Sequence, residues 1–398
     1  MVQSKELRVL NEDELIIQGL LFDEYKAYDM SRRVFGKLYD MTGAKSYLFK
    51  EVTASLMSGS HISESIQRLK SWDEKNPDTL EVRRLLIPLY LTNKQIQEAK
   101  TEAEFLLERS KRPKDLDLAS NPYLYSGEFK KALELLEKVY AQTSSEDVLL
   151  RMATIMDELT SERKKAIQLL ETHRRMNIVS KDIYFKLLAL YFKENDVDGL
   201  IDIYKTLYEE EKDEKYLSKI LEAYAYKGDL DGAIAFLEKY RKADATLYEL
   251  YKRKKRLDKA YTLIDRLYAE KKDPRWLAEK AMLLFEKSKD KNDRAMLKEV
   301  IGYFEKAVKE GVDDSIYLNY YGYTLIEKEI DVKKGIAIIK EALKQQPDNT
   351  YYLDSLAWGY YKEKQCDKAY ELMQRVVKEE GLKEKEIKEH WEKIRKCR

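Results

Sequence analysis

Apolar residues recur along most of the chain at spacings of three and four, which places them on one face of a helix. Near the C-terminus, Leu353 and Tyr360 share such a face, and Ala369 and Met373 share another after a short polar break. Glycine- and aspartate-containing clusters such as YKGDLDG at 226–232 separate segments of this kind. The pattern therefore predicts pairs of amphipathic helices joined by short turns rather than a many-stranded β fold.

A small or modest residue recurs at the same place in each helix pair, with a period of about 34 residues, and such a period is typical of a helical solenoid. We call these residues the register positions: Ser31, Ser65, Ala99, Ala132, Ala166, Leu200, Ala233, Ala260, Val300, Gly335 and Ala369. A large apolar residue follows each of them one helical turn later, except at Ala103. Small side chains at these places predict a close approach between the two helices of a pair.

The repeat covers nearly the whole chain and predicts an all-α protein, a right-handed superhelical solenoid of about eleven helix pairs with a C-terminal capping helix. The predicted parts are an N-terminal tail at 1–11, seven pairs at 12–240, four pairs at 241–381 and the capping helix at 382–398. Asn11 and Glu14 form a capping-box-like pair that predicts the start of the first helix.

Irregularities are expected at four places. Pro122 falls inside the first helix of the fourth pair, at 113–126, and predicts that this helix is short or broken. Pro88 predicts a kink in the first helix of the third pair. A short pair is expected at 241–272, and extra residues near 288–300 compensate for it.

Composition and charge mainly argue against certain classes of binding partner. The 398 residues carry 74 basic and 73 acidic side chains, so a net charge of +1 gives no general attraction to nucleic acid or anionic membranes. The dense basic run Lys252–Arg256 lacks interleaved aromatic residues, and we expect no nucleic-acid binding there. No stretch is apolar enough to predict a transmembrane helix.

Catalytic and metal-binding chemistry finds no support in the sequence. The three histidines, His61, His173 and His390, fall in different helix pairs, whereas a catalytic or metal site needs groups that converge. Cys366 and Cys397 match no metal-site or disulfide-framework spacing, and we expect two separate exposed thiols. The sequence thus predicts a protein that is not an enzyme and has no cofactor, no metal and no catalytic residues.

The helix-pair pattern resembles the tetratricopeptide repeat, which reads W-x2-L-G-x2-Y, then A-x3-F, then P. The last pair matches it at Leu353, Leu356-Ala357, Tyr360, Ala369 and Met373. The resemblance implies a scaffold that binds a partner protein or an extended peptide along an inner groove lined by the first helix of each pair.

Residues at the groove-facing positions are the candidate binding residues. In the last two pairs we call them the groove set: Asn319, Tyr323, Asp354, Trp358 and Tyr361. Earlier in the chain Arg84 and Arg151 occupy equivalent positions. Aromatic rings with polar tips are good anchors for a peptide; the alternative is that these rings pack against the next helix. The family's carboxylate clamp is predicted to be absent, because Pro88 and Ile155 stand where that clamp needs asparagine.

A narrower resemblance covers residues 319–361, which are similar to a C-terminal signature of Gram-negative envelope tetratricopeptide lipoproteins, N-x-x-G-Y, P-D-N and D-S-x-x-W. The matching residues are Asn319, Gly322, Tyr323, Pro347, Asp348, Asn349, Asp354, Ser355 and Trp358. The resemblance implies an adaptor for a periplasmic C-terminal processing protease and its substrates. The alternative is a cytoplasmic assembly or co-chaperone scaffold.

The cellular location follows from which of these two roles applies. The first residues carry no lipoprotein signal and no lipid-accepting cysteine. We therefore expect a periplasmic or outer-membrane-associated protein if such a signal was trimmed, and a cytoplasmic protein otherwise. The pattern leaves the oligomeric state open.

Overall fold

The structure is a computed structural model that describes residues 11–397, and these residues form 23 helices and no strands. The chain divides into two compact units, one ending at Leu217 and the other beginning at Ser218. The prediction of an all-α chain is therefore confirmed, while the right-handed superhelix and the number of repeats stay predictions. The predicted tail at 1–11 lies outside the described residues, apart from Asn11.

The first unit holds twelve complete helices. They are α1 Glu12–Glu24, α2 Tyr28–Thr42, α3 Lys45–Ser58, α4 Ile62–Asp73, α5 Leu80–Thr92, α6 Ile96–Arg109, α7 Pro113–Tyr125, α8 Phe129–Thr143, α9 Glu146–Glu158, α10 Arg163–Met176, α11 Lys181–Glu194 and α12 Val197–Glu211. Helix α13, Glu214–Lys227, contains the division between the units. Consecutive helices pack against each other, and α3, α5 and α7 also contact in sequence.

The second unit continues the same arrangement. Its helices are α14 Leu230–Tyr240, α15 Asp244–Arg253, α16 Leu257–Lys271, α17 Arg275–Lys287, α18 Arg294–Lys309, α19 Ser315–Glu327, α20 Val332–Gln345, α21 Thr350–Lys362, α22 Cys366–Glu380 and α23 Lys385–Cys397. The odd-numbered helices α17, α19, α21 and α23 contact one another in that order.

The register positions fall one in each even-numbered helix from α2 to α22. All are buried except Leu200, which is partly buried, and the residue one turn later is also buried in nearly every case. Small residues at these places let the two helices of a pair approach closely, as the tetratricopeptide-like pattern predicts. The capping box at the start of α1 is also confirmed, because Asn11 and Glu14 exchange hydrogen bonds of 3.0 and 2.9 Å.

The expectation that Pro122 shortens or breaks its helix is wrong. Helix α7 runs through Pro122 and ends at Tyr125, so it is as long as α5 and α9. A proline lacks the N–H that would bond the carbonyl four residues earlier. That carbonyl belongs to Leu118, and it accepts a hydrogen bond of 3.1 Å from the Asn121 side chain instead. Helix α5 likewise continues through Pro88.

The irregular region of the second unit is visible in helix and loop lengths. Helix α15 has 10 residues, fewer than any other described helix. The connection between α17 and α18 spans 288–293 and is longer than most turns within a pair. It ends at Asp293, whose carboxylate accepts from the backbone N–H groups of Ala295 and Met296 and so caps α18.

The expectation of two separate thiols is also wrong. Cys366 is the first residue of α22, Cys397 is the last residue of α23, and the two form a disulfide with their Cα atoms 5.5 Å apart. The two helices are consecutive and packed together, so the start of one meets the end of the other. This closeness depends on the tertiary fold, which is why the cysteine spacing did not predict it.

The predicted capping helix corresponds to α23. Ile387 and Ile394 lie on the apolar face of this helix and are buried against the core of α20–α22. Leu382 precedes the helix and is exposed. None of the described helices is both long and apolar enough to cross a lipid bilayer.

Candidate functional site

The groove set lies on two adjacent helices of the second unit. Asn319 and Tyr323 are one turn apart on α19, and Asp354, Trp358 and Tyr361 follow one face of α21. Helix α23 packs alongside α21, so its residues also reach this surface. The structure thus brings the five predicted residues into one region and adds α23 to it.

Trp358 is enclosed by its neighbours. Its ring stacks on His390 with a centroid distance of 4.1 Å and on Tyr361 at 4.8 Å. Its Nε1 donates a hydrogen bond of 2.7 Å to Glu327 Oε2, and only 3% of the residue is exposed. Of the two alternatives for this position, packing against the next helix is therefore the one observed for Trp358.

Asp354 also contacts α23. His390 Nδ1 lies 3.0 and 2.9 Å from its two carboxylate oxygens, and both residues are buried. Tyr323 donates a short hydrogen bond to Glu386, one turn before His390 on the same helix. Three residues of the groove set thus contact Glu386 or His390 of α23, which sequence analysis did not select as binding residues. The sequence predicted a capping helix at 382–398 but not its polar contacts.

A cavity of about 250 Å³ opens between these helices, and we call it the acidic cavity. Its lining residues are Phe285, Asn319, Tyr320, Tyr323, Thr324, Glu327, Lys328, Tyr351, Asp354, Ser355 and Glu386. Three of the five groove-set residues line it, whereas Trp358 and Tyr361 lie outside it. The lining includes aromatic rings, hydroxyl groups, three carboxylates and one lysine.

The Tyr323 hydroxyl donates to Glu386, and the charges of two further carboxylates act on its pKa. Burial raises the pKa of Tyr323 well above its usual range, and the hydrogen bond to Glu386 raises it further. The negative charges of Glu327 and Asp354 act in the same direction. Tyr323 therefore stays a neutral hydrogen-bond donor.

Asn319 leaves one polar atom unsatisfied. Its Oδ1 is buried and has no hydrogen-bond partner among the described residues. Buried polar atoms are normally paired, so an orphaned acceptor beside a cavity calls for an explanation. A hydrogen-bond donor on a bound molecule would supply the missing partner.

The two predicted arginines lie elsewhere, in the first unit, and both are engaged within the chain. Arg84 on α5 makes two hydrogen bonds, of 2.7 and 2.9 Å, to the buried carboxylate of Asp115 on α7. Arg151 on α9 donates to Asp117 at 2.7 Å and to Asn121 at 2.6 Å. These arginines join successive odd-numbered helices, and neither lines the acidic cavity.

The basic run Lys252–Arg256 is partly paired with carboxylates. Lys252 pairs with Glu279 at 3.2 Å, and Lys254 and Arg256 both pair with Asp231, at 2.9 and 2.6 Å. Three of its five cations are thus held by carboxylates. The absence of nucleic-acid binding at this run stays a prediction.

Two exposed phenylalanines on α11 escaped the sequence analysis. Phe185 is 48% exposed and Phe192 is 77% exposed. They precede the register residue Leu200 by the same intervals at which Asp354 and Tyr361 precede Ala369, so they occupy the groove-facing positions of their own helix. The register would have identified them, had it been applied to every pair.

Comparison with known proteins gives a fold likeness only. No protein-family model matches the sequence. No curated protein matches it either. Among solved structures, the APC/C hetero-tetramer Cut9-Hcn1 aligns over 97% of this chain and 96% of that chain, with 13% identity and a TM-score of 0.36.

Two further solved structures are similar in the same sense. YrrB, described as a TPR protein with an unusual peptide-binding site, aligns over 48% of this chain and 97% of its own, with 16% identity and a TM-score of 0.37. The TPR2AB-domain:pHSP90 complex of yeast Sti1 aligns over 71% and 98%, with 17% identity and a TM-score of 0.28. At these values the likeness carries no information about the function of this chain.

Proposed function

We propose that the protein is a non-enzymatic scaffold that holds a segment of a partner protein against α17, α19, α21 and α23. The observation that carries this proposal is the convergence of Asn319, Tyr323 and Asp354 on one cavity. These residues come from two helices and occupy the groove-facing positions that the repeat predicts.

The surroundings of the cavity support a protein ligand. Tyr320 and Tyr351 line it and remain partly exposed, with Tyr351 at 56%. Tyrosine offers a large apolar ring and a polar tip with little rotamer freedom to lose, which is why it is common at protein interfaces. The exposed Phe185 and Phe192 provide a second aromatic surface, in the first unit, for the same kind of contact.

A narrower role is proposed on the sequence signature at 319–361: an adaptor that delivers substrates to a C-terminal processing protease. Several signature residues have a local structural task. Asn349 caps α21 by accepting from the N–H groups of Tyr351 and Tyr352, and Trp358 is packed under α23. Four residues of the signature, Asn319, Tyr323, Asp354 and Ser355, line the cavity.

A site-specific photo-cross-linking experiment tests the scaffold role. The photoreactive amino acid p-benzoylphenylalanine replaces Tyr351 in one variant and Tyr125 in a matched control. Tyr125 lies on α7 in the first unit and is 64% exposed. Both variants are irradiated in cells of the source organism, and cross-linked polypeptides are identified by mass spectrometry.

We expect position 351 to cross-link a defined polypeptide that position 125 does not. The yield should fall when Tyr320→Ser is added. A C-terminal processing protease or its substrate at position 351 would support the adaptor role, whereas a cytosolic chaperone or assembly factor would support the alternative scaffold. The same products at both positions, or none at position 351, would overturn the proposed function.

A further inference from the structure

The acidic cavity is small for a ligand site. Its volume is about 250 Å³. Typical small-molecule sites occupy roughly 300–1,000 Å³ and are largely apolar. A cavity below that range, set in a surface that faces a partner segment, suits one anchoring side chain of that segment.

The charged groups that line the cavity determine which kind of side chain it favours. Glu327 receives its hydrogen bond from the indole of Trp358 at 2.7 Å, and Glu386 receives one from the Tyr323 hydroxyl. Both donors are neutral, so neither contact compensates the negative charge of its carboxylate. Asp354 adds a third carboxylate, which is buried and held by His390. The cavity therefore favours a cation and disfavours an anion.

Among the described residues, Lys328, the one lysine in the lining, makes no ion pair within 4 Å with any of the three carboxylates that line the cavity. Lys328 Nζ lies 3.1 Å from Asn292 Oδ1 and 5.9 Å from the centre of the Phe285 ring. An incoming cation would thus meet the carboxylates without displacing a lysine from them.

The remaining walls suit the alkyl stem and the head group of a basic residue. Tyr320 and Tyr351 offer ring surfaces against which a methylene chain packs and which attract a cation at their faces. Asn319 offers a buried acceptor without a partner. A lysine ammonium or an arginine guanidinium carries only donors and would satisfy both the carboxylates and this amide.

We propose that the acidic cavity binds a lysine or arginine side chain of the partner segment. This inference rests on the proposed function, because it identifies the anchor residue of the segment that the scaffold holds. It assigns Glu327 and Glu386 the recognition of the positive charge, and the tyrosines the contact with the stem.

Peptide pools test the inference directly. Four fluorescent nine-residue pools carry Lys, Arg, Gln or Glu at the centre and uncharged mixtures at the flanking positions, and fluorescence anisotropy measures their binding to the full chain. We expect the Lys and Arg pools to bind about tenfold more tightly than the Gln pool, and the Glu pool to bind least.

Paired variants locate the preference. Glu327→Gln/Glu386→Gln keeps the acceptor oxygens for Trp358 and Tyr323 while removing two charges. It should reduce the preference for Lys over Gln to about twofold and leave the binding of the Gln pool unchanged. The matched control, Glu379→Gln/Glu389→Gln, removes two exposed charges from α22 and α23 and should keep the preference. Circular dichroism checks that each variant has the wild-type helix content.

The possible results distinguish a failure of the basic anchor from a failure of the scaffold role. Equal binding of all four pools, weakened in each case by Tyr351→Ser, would overturn the basic anchor and retain the scaffold. No binding of any pool up to 1 mM, which is a standard-state free energy of about −4 kcal/mol, would count against both. Free spermidine is measured in the same assay. If it binds as tightly as the Lys pool and this binding is lost in a Glu386 variant, the ligand of the cavity is a free polyamine and the peptide anchor is overturned.

Discussion

The backbones of Gly322 and Gly335 are in contact where α19 and α20 cross. A Cβ atom built on Gly335 would lie 2.6 Å from the Gly322 carbonyl oxygen, and one built on Gly322 would lie 2.9 Å from the Gly335 carbonyl oxygen. Neither position has room for a side chain without a shift of the helices. Gly335 is a register position, so this contact is the tightest form of the helix approach that the repeat predicts.

Gly335→Ala should destabilise the second unit by about 1–3 kcal/mol, because the added methyl group overpacks a backbone contact. Thermal or urea unfolding followed by circular dichroism measures the change. Gly302→Ala is the matched control. Gly302 lies within α18, and a Cβ built there meets nothing within 4 Å. The control should be neutral or stabilise by up to about 1 kcal/mol through helix propensity, and equal effects of the two variants would contradict the contact.

The register was predictable because it depends on side-chain size alone. Ala99, Ala132 and Ala166 are small where two helices meet, and each is fully buried in the structure. Close packing permits only small side chains at such places. A recurring small residue in the sequence therefore predicts where two helices meet. The same reasoning located three of the five groove-set residues at the cavity, since helix faces follow from periodicity.

Ala369→Leu tests the register in the last helix pair. Ala369 is fully buried in the core formed with Ile326, Leu356 and Met373. The larger side chain should cost roughly 1–3 kcal/mol of unfolding free energy. Ala269→Leu makes the same change at an exposed position of α16 and should alter stability by less than about 0.5 kcal/mol. An unchanged unfolding curve for Ala369→Leu would mean that the register is misplaced.

The contacts that the sequence did not predict are those between side chains on different helices. Arg84 and Arg151 were selected as groove residues, but their charges are taken up by Asp115 and Asp117 about one repeat away. Trp358 was selected as an anchor, but α23 covers it. Helix periodicity fixes the face on which a residue lies. The polar end of the side chain can bond either a neighbouring helix or a partner. The choice depends on the side-chain rotamer and on the residues of the next helix, and the pattern of a single repeat contains neither.

Reduction of the Cys366–Cys397 disulfide should loosen α23. The bond closes a loop with a sequence separation of 31 residues, and loop-closure entropy for such a length gives a stabilisation of up to about 3–4 kcal/mol in the chain-entropy model. We expect a lower melting temperature in dithiothreitol, together with faster amide exchange in α23. The fluorescence of Trp391, which packs at the edge of the same core, offers a second measure.

A double variant provides the control for the disulfide. Cys366→Ser/Cys397→Ser should melt at the temperature of the reduced wild type and should not respond to dithiothreitol. Thiol titration of the unreduced native protein should detect no free cysteine. Two titratable thiols in the native protein, or a melting temperature that reductant leaves unchanged, would contradict the pairing.

The Arg84–Asp115 pair should make the stability of the first unit depend on pH. The Arg84 guanidinium lowers the pKa of Asp115 below its usual value, although burial opposes this, and a hydrogen bond from Ser110 lowers it further. A carboxyl group with a depressed pKa in the folded state stabilises the fold above its unfolded pKa. That contribution is lost as the pH falls through the folded pKa. The pair should therefore stabilise the unit fully at neutral pH and progressively less below about pH 4.

Arg84→Met should cost about 2 kcal/mol at pH 7, since it leaves a buried carboxylate without its charged donor. Urea unfolding of the wild type and the variant from pH 7 to pH 3 measures this cost, which should shrink at the acidic end as Asp115 becomes protonated. Lys131→Met is the control. It removes an exposed pair with Glu134, whose charged atoms are 3.7 Å apart, and such pairs contribute at most about 1 kcal/mol. A cost for Arg84→Met that is independent of pH would show that Arg84 stabilises the unit by packing rather than by its charge.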